Sequence, residues 1–153
     1  MENEILFRKQ MVEKYRPTVE KMIRYLPWLD SKNGAKVSSL YTGDGIEGHS
    51  IPVPVYDSTL LAMVKEFQSI EGLMNYNYRY VYSRNSIRTI ADEKRFIEKA
   101  DISQMEDLKG ILSKYVIEGM RKGIVWNTAV ENGIFYDVIS KMKELLEFWD
   151  KPM

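Results

Sequence analysis

The chain has 153 residues, 44% hydrophobic and 29% charged, and its 22 basic and 22 acidic side chains leave a formal net charge of zero. This is the composition of one ordinary soluble domain, which at such a length buries about 70% of the surface its unfolded chain exposes, and it lacks the basic excess of a dedicated polyanion binder. Zero cysteines and one histidine exclude disulfides, a thiol nucleophile and an ordinary zinc site.

The N-terminal residues Met1-Glu2-Asn3-Glu4-Ile5-Leu6-Phe7-Arg8-Lys9 have neither the basic start nor the apolar stretch of a secretory signal. The spacing predicts a first helix over 3–15, with Ile5, Leu6, Val12 and Tyr15 as its apolar members. Pro17 suits the first turn of a new helix, in which Val19, Met22, Ile23 and Leu26 repeat at helical spacing until Pro27. Residues 30–50 are rich in Gly, Ser, Asn and Asp and read as loop, with a short strand at Val37–Tyr41. Ile51, Val53 and Val55 alternate with Pro52 and Pro54, which fits only an edge strand or an extended segment. Asp57 or Ser58 caps a helix over 58–70, with Leu60, Leu61, Val64 and Phe67 on one face. The longest apolar run, Leu60 to Val64, is far short of the roughly 20 residues of a membrane helix. Together with the absent cysteines, this predicts a cytoplasmic protein without membrane contact.

Residues 76–83 alternate strictly and read as a strand. Thr89-Ile90-Ala91-Asp92 reads as a capping box for a helix to Lys99, and Ser103-Gln104-Met105-Glu106 as a better one. The second opens a helix with Met105, Leu108, Leu112 and Tyr115 inward, ending at Gly119 or Gly123. A short helix 126–132 stops at Asn132-Gly133, and a last helix 135–149 carries Val138, Met142, Leu145 and Trp149 in one stripe. The expected fold is a single domain over 1–153 of the α+β class, predominantly helical, with about six helices and a small sheet. Residues 1–15 form a peripheral helix in this reading.

No motif names a reaction, so no residue is assigned a catalytic role and no cofactor or metal is expected. Gly43-Asp44-Gly45-Ile46-Glu47-Gly48 matches the dinucleotide fingerprint by letter. The prolines at 52 and 54 bar the following helix that would hold a pyrophosphate, and two acidic side chains would repel it. His49, the one side chain whose ordinary pKa lies near neutrality, falls in the same loop and reads either as a general base or as an incidental surface residue.

The most distinctive feature is Tyr76-Asn77-Tyr78-Arg79-Tyr80-Val81-Tyr82-Ser83-Arg84, followed by Arg88. It lies in the one clearly basic stretch, residues 77–100, with 6 basic and 3 acidic groups. In a strand, Tyr76, Tyr78, Tyr80 and Tyr82 share one face, and Arg79 projects from the other. Three readings stay open: a stacking platform for nucleic acid or nucleotide, a half-buried strand packed on a helix, and a protein-binding hot spot rich in Tyr and Arg. Exposed tyrosines on an edge strand also leave room for a homodimer. Arg121 and Lys122, between Gly119 and Gly123, read as cations that offset a helix C-terminus.

Several phrases occur as a set: Tyr15-Arg16-Pro17-Thr18-Val19-Glu20-Lys21 with Tyr25-Leu26-Pro27-Trp28-Leu29, Pro54-Val55-Tyr56-Asp57, Tyr80 to Asn85, Ile111 to Val116, and Ala129 to Phe135. With them the chain resembles, from about residue 14 to 150, an uncharacterised family of small Firmicutes proteins classed as a domain of unknown function. The resemblance implies an accessory protein of a phage or mobile element, including inhibitors of bacterial defence, and assigns no catalytic residue. Three functions follow: a small non-catalytic protein that binds and inhibits a host protein; a nucleic-acid or nucleotide binder using Tyr76 to Arg88; or an enzyme working through carboxylates, tyrosines or His49.

Overall fold

The structure is a computed structural model that describes residues 2–32, 38–41 and 53–150. Its first helix, α1 (Glu2–Ile23), continues through Pro17, where the sequence predicts the start of a new helix. The buried residues Val12, Tyr15, Val19 and Met22 keep one helical stripe across the proline. Glu13, whose carbonyl loses its N–H partner to Pro17, is exposed, so water can take the place of the missing donor. A two-residue turn leads to α2 (Leu26–Lys32), which contributes Leu29 to the core.

After the ribbon described below come α3 (Ser58–Ser69), α4 (Tyr78–Arg84), α5 (Ile90–Lys99), a 3-10 turn (Ile102–Gln104), α6 (Met105–Gly119), α7 (Ile124–Glu131) and α8 (Ile134–Asp150). The caps follow from the local sequence. Asp57 accepts a hydrogen bond from the Thr59 N–H at 2.7 Å and starts α3. Thr89 and Asp92 form the expected capping box of α5. Ahead of α6 the box is Asp101 with Gln104, two residues earlier than expected, because a 3-10 turn precedes the helix. Gly133, at φ 74°, supplies the left-handed residue that separates α7 from α8.

The expected α+β class is corrected to all-α, and the expected six or so helices to eight among the described residues. The segment expected to be an aromatic strand, 76–83, forms instead a turn and α4. Among the described residues outside the helices is one antiparallel ribbon, β1 (Ser38–Tyr41) with β2 (Val53–Tyr56), in whose register Ser38 pairs with Tyr56 and Tyr41 with Val53. Two strands of this length make no layer of a core. Every buried hydrophobic side chain described belongs to a helix or to a turn between helices.

α6 and α8 lie at the centre. α6 buries residues around its whole circumference, among them Met105, Leu108, Ile111, Leu112, Tyr115 and Val116, and packs against α3, α4, α7 and α8. Such an all-round apolar surface marks a helix enclosed by others. α1 lies along α8, and Arg8 closes that contact by donating from Nε to the Trp149 carbonyl at 3.2 Å, at the C-terminal end of α8. Tyr25, Phe67, Phe135 and Tyr115 form a file of edge-to-face rings with centroids 5.7, 6.5 and 6.3 Å apart, which ties α3 through α8 to α6.

Candidate functional site: a cationic cleft on α4, α6 and α7

α4 runs antiparallel to α6. Arg84, in the last turn of α4, pairs with Asp107 in the first turn of α6. Val81 meets Gly110, where an added Cβ would come within 2.9 Å of its Cγ2, so α6 needs a glycine at this crossing. Tyr78, at the start of α4, lines the same cleft as Ile117 near the end of α6. Asp107 is only 7% exposed and its carboxylate is met by Arg84 and by Asn85 Nδ2 at 3.5 Å.

The helix redistributes the sequence's aromatic set. Tyr78, Val81 and Tyr82 fall at i, i+3 and i+4 and turn toward the protein, whereas Arg79 and Tyr80 point away and the partly exposed Arg84 reaches Asp107. Tyr78 is 8% exposed, Tyr76 78% and Tyr80 63%, so the four rings do not share a face. The Arg84 guanidinium lies 5.3 Å over the Tyr80 ring. Tyr82 donates to Glu93 Oε2, and Tyr115 donates to Glu93 Oε1 at 2.6 Å. Burial first, then the adjacent Glu93 carboxylate, pushes both phenols well above the ordinary tyrosine range. They therefore remain protonated donors at neutral pH. Lys114 Nζ stands 5.4 Å over the Tyr82 ring and 4.5 Å over the Tyr115 ring. Arg88 borders a small cleft of about 170 Å³ over this group, and its backbone N–H donates to Asp92 Oδ2 at 3.0 Å. His49 and the glycine motif at 43–48 lie outside the described residues.

The residue that the structure places in a new setting is Arg79. It lies in the first turn of α4, the positive end of the helix, where a cation does nothing for helix stability. Across a cleft of about 340 Å³ it faces Arg121 and Lys122 from the turn between α6 and α7. Ile117, Val125 and the largely buried Tyr78 complete the walls, and Glu118 lines one side within 3.8 Å of Lys114. Arg79, Arg121 and Lys122 are exposed and form no ion pair or side-chain hydrogen bond with any described residue. Gly119 makes the corner possible, because a Cβ there would overlap the Trp126 indole, whose Nε1 donates to the Val116 carbonyl at 3.0 Å. Sequence reading missed this site because Arg79 and Arg121 are 42 residues apart (121 − 79) and Arg121 already had a local role as a helix-end cation. The sequence signal was Val81, which a strand would put on the Arg79 face and a helix puts beside Tyr78.

A second cleft, of about 380 Å³ between α5 and α8, has its cations matched internally: Lys94 pairs with Asp137 at 3.0 Å and Lys141 donates to the Glu98 carbonyl at 2.9 Å. Among the described residues, no helix is long and apolar enough to cross a membrane. Comparison of the chain with protein-family models, curated proteins and solved structures finds no match.

Proposed function

We propose that the chain is a small interaction protein that acts by occupying a partner's surface through the α4–α6–α7 cleft. The observation that carries this reading is the convergence of Arg79, Arg121 and Lys122 on one cleft, where Glu118 is the one acidic lining residue and the three cations form no ion pair or side-chain hydrogen bond with any described residue. Arginine is among the side chains enriched in protein-binding hot spots. The tyrosines nearest the cleft serve the fold: Tyr78 is buried, and Tyr82 is committed to Glu93. The resemblance to small accessory proteins of Firmicutes suggests a phage or mobile-element setting, in which the partner is a host defence protein.

The test is recovery of the tagged protein from a Firmicutes cell lysate, with and without nuclease, beside the double variant Arg79→Glu/Arg121→Glu. The expected result is a stoichiometric protein partner that survives nuclease and is lost in the variant, while circular dichroism shows an unchanged helical fold. Full partner recovery by the folded variant would remove the cleft from the reading. Loss on nuclease treatment would transfer the weight to nucleic-acid binding, whose affinity falls steeply with salt.

A further inference from the structure

We infer that the cleft receives an acidic peptide segment, whose carboxylates pair with Arg79, Arg121 and Lys122 while a neighbouring apolar side chain covers Met120 and Ile124. This inference rests on the interaction reading above and specifies its ligand. Charge complementarity is the first reason. Two guanidinium groups present paired N–H donors matched to carboxylates, and an exposed cation loses little hydration before a partner arrives. The adjoining surface is the second. Met120 and Ile124, 59% and 60% exposed, bracket Arg121 and Lys122 in the chain, so exposed apolar side chains sit next to the cationic residues in the same turn. A segment carrying acidic and apolar side chains meets both parts at once, whereas a free inorganic anion meets only one.

A nucleic acid fits less well. The ring in this cleft, Tyr78, is 8% exposed and offers no face on which a base could stack. Ile117 and Val125 are poor neighbours for a phosphodiester chain. The volume of about 340 Å³ also lies at the small end of ligand clefts, which suits one or two side chains better than a run of nucleotides.

Fluorescence anisotropy would test this with three labelled probes: a short peptide of glutamates flanking a leucine, the same peptide with glutamines, and oligothymidine. The glutamate peptide should bind, and the glutamine version at least about tenfold more weakly. Arg79→Glu/Arg121→Glu should lose about tenfold or more, with Arg79→Gln/Arg121→Gln as a milder variant that preserves the fold. Met120→Ser/Ile124→Ser should weaken binding several-fold, roughly as two partly exposed apolar contacts predict. Equal binding of the two peptides, or tighter binding of oligothymidine, would overturn the proposal. If the glutamate peptide fails to bind while charge reversal still removes the protein partner from lysate, the acidic ligand is wrong and the interaction reading stands. If charge reversal leaves both peptide and partner bound, both fall.

Discussion

Glu93 is 3% exposed and makes no ion pair with a described residue, yet its carboxylate is fully engaged, because two phenols donate to its two oxygens. Removing one donor leaves a buried acceptor short of a partner, so Tyr115→Phe should destabilise by about 1–3 kcal/mol, read as a lower urea midpoint at unchanged slope. The same group sets an alkaline limit. Tyr82 and Tyr115 have folded pKa values raised above the ordinary 10.0. Above that pH the unfolded chain loses protons that the folded chain keeps, so their contribution to stability is complete below about pH 10 and declines as pH rises further. A Tyr82→Phe/Tyr115→Phe variant should start less stable and show a shallower decline between about pH 10 and 12; an identical slope would exclude the pair as its source. Arg84 belongs with this structural set. Although partly exposed, it is the cation nearest the buried Asp107, and Arg84→Ala should destabilise by about 1–3 kcal/mol by thermal denaturation.

α4 shows how one seven-residue segment satisfies two periodicities. Tyr78, Tyr80 and Tyr82 repeat at strand spacing, while Tyr78, Val81, Tyr82 and Asn85 repeat at helix spacing. Packing against α6 decides between them, because Gly110 opens a seat for Val81 and Asp107 supplies a counter-charge for Arg84. The helix ends with Ser86 at φ 55° and a hydrogen bond from the Ile87 N–H to the Tyr82 carbonyl at 2.9 Å. Glycine suits that left-handed position better than serine, so Ser86→Gly should stabilise by about 0.5–1 kcal/mol, seen as a higher melting temperature. Gly119→Ala should do the reverse. Its methyl group forces the Trp126 ring aside, which should cost about 1–3 kcal/mol and shift tryptophan fluorescence. Since that corner carries Arg121 and Lys122, the same variant should also weaken partner binding.

At the level of the molecule, the core and the cations of the cleft are different residues. The core is centred on α6 and α8, whose amides should exchange slowest in hydrogen-exchange mass spectrometry; the first turn of α1 should exchange fast, since Ile5, Leu6 and Phe7 are all substantially exposed. The side chains of Arg79 and Arg121 form no ion pair or hydrogen bond with a described residue, so reversing both should leave the melting temperature within the small range of ordinary surface changes, about 0.5 kcal/mol in stability. A large loss of stability would instead show that these cations hold the fold together.

The caps of α3 and α5, the stop at Asn132-Gly133 and the apolar stripe of α8 are legible from the residues alone, because each is written within a few neighbouring positions. The sequence also named Arg79 and the tyrosines as the unusual residues. That α1 passes through Pro17, that residues 78–84 are helical and that Arg79 shares a cleft with Arg121 and Lys122 emerges only once the helices pack. The reason is physical. A cap depends on its own turn of backbone, whereas a segment with two compatible periods, and a cluster of cations from distant turns, take their form from the helices they pack against.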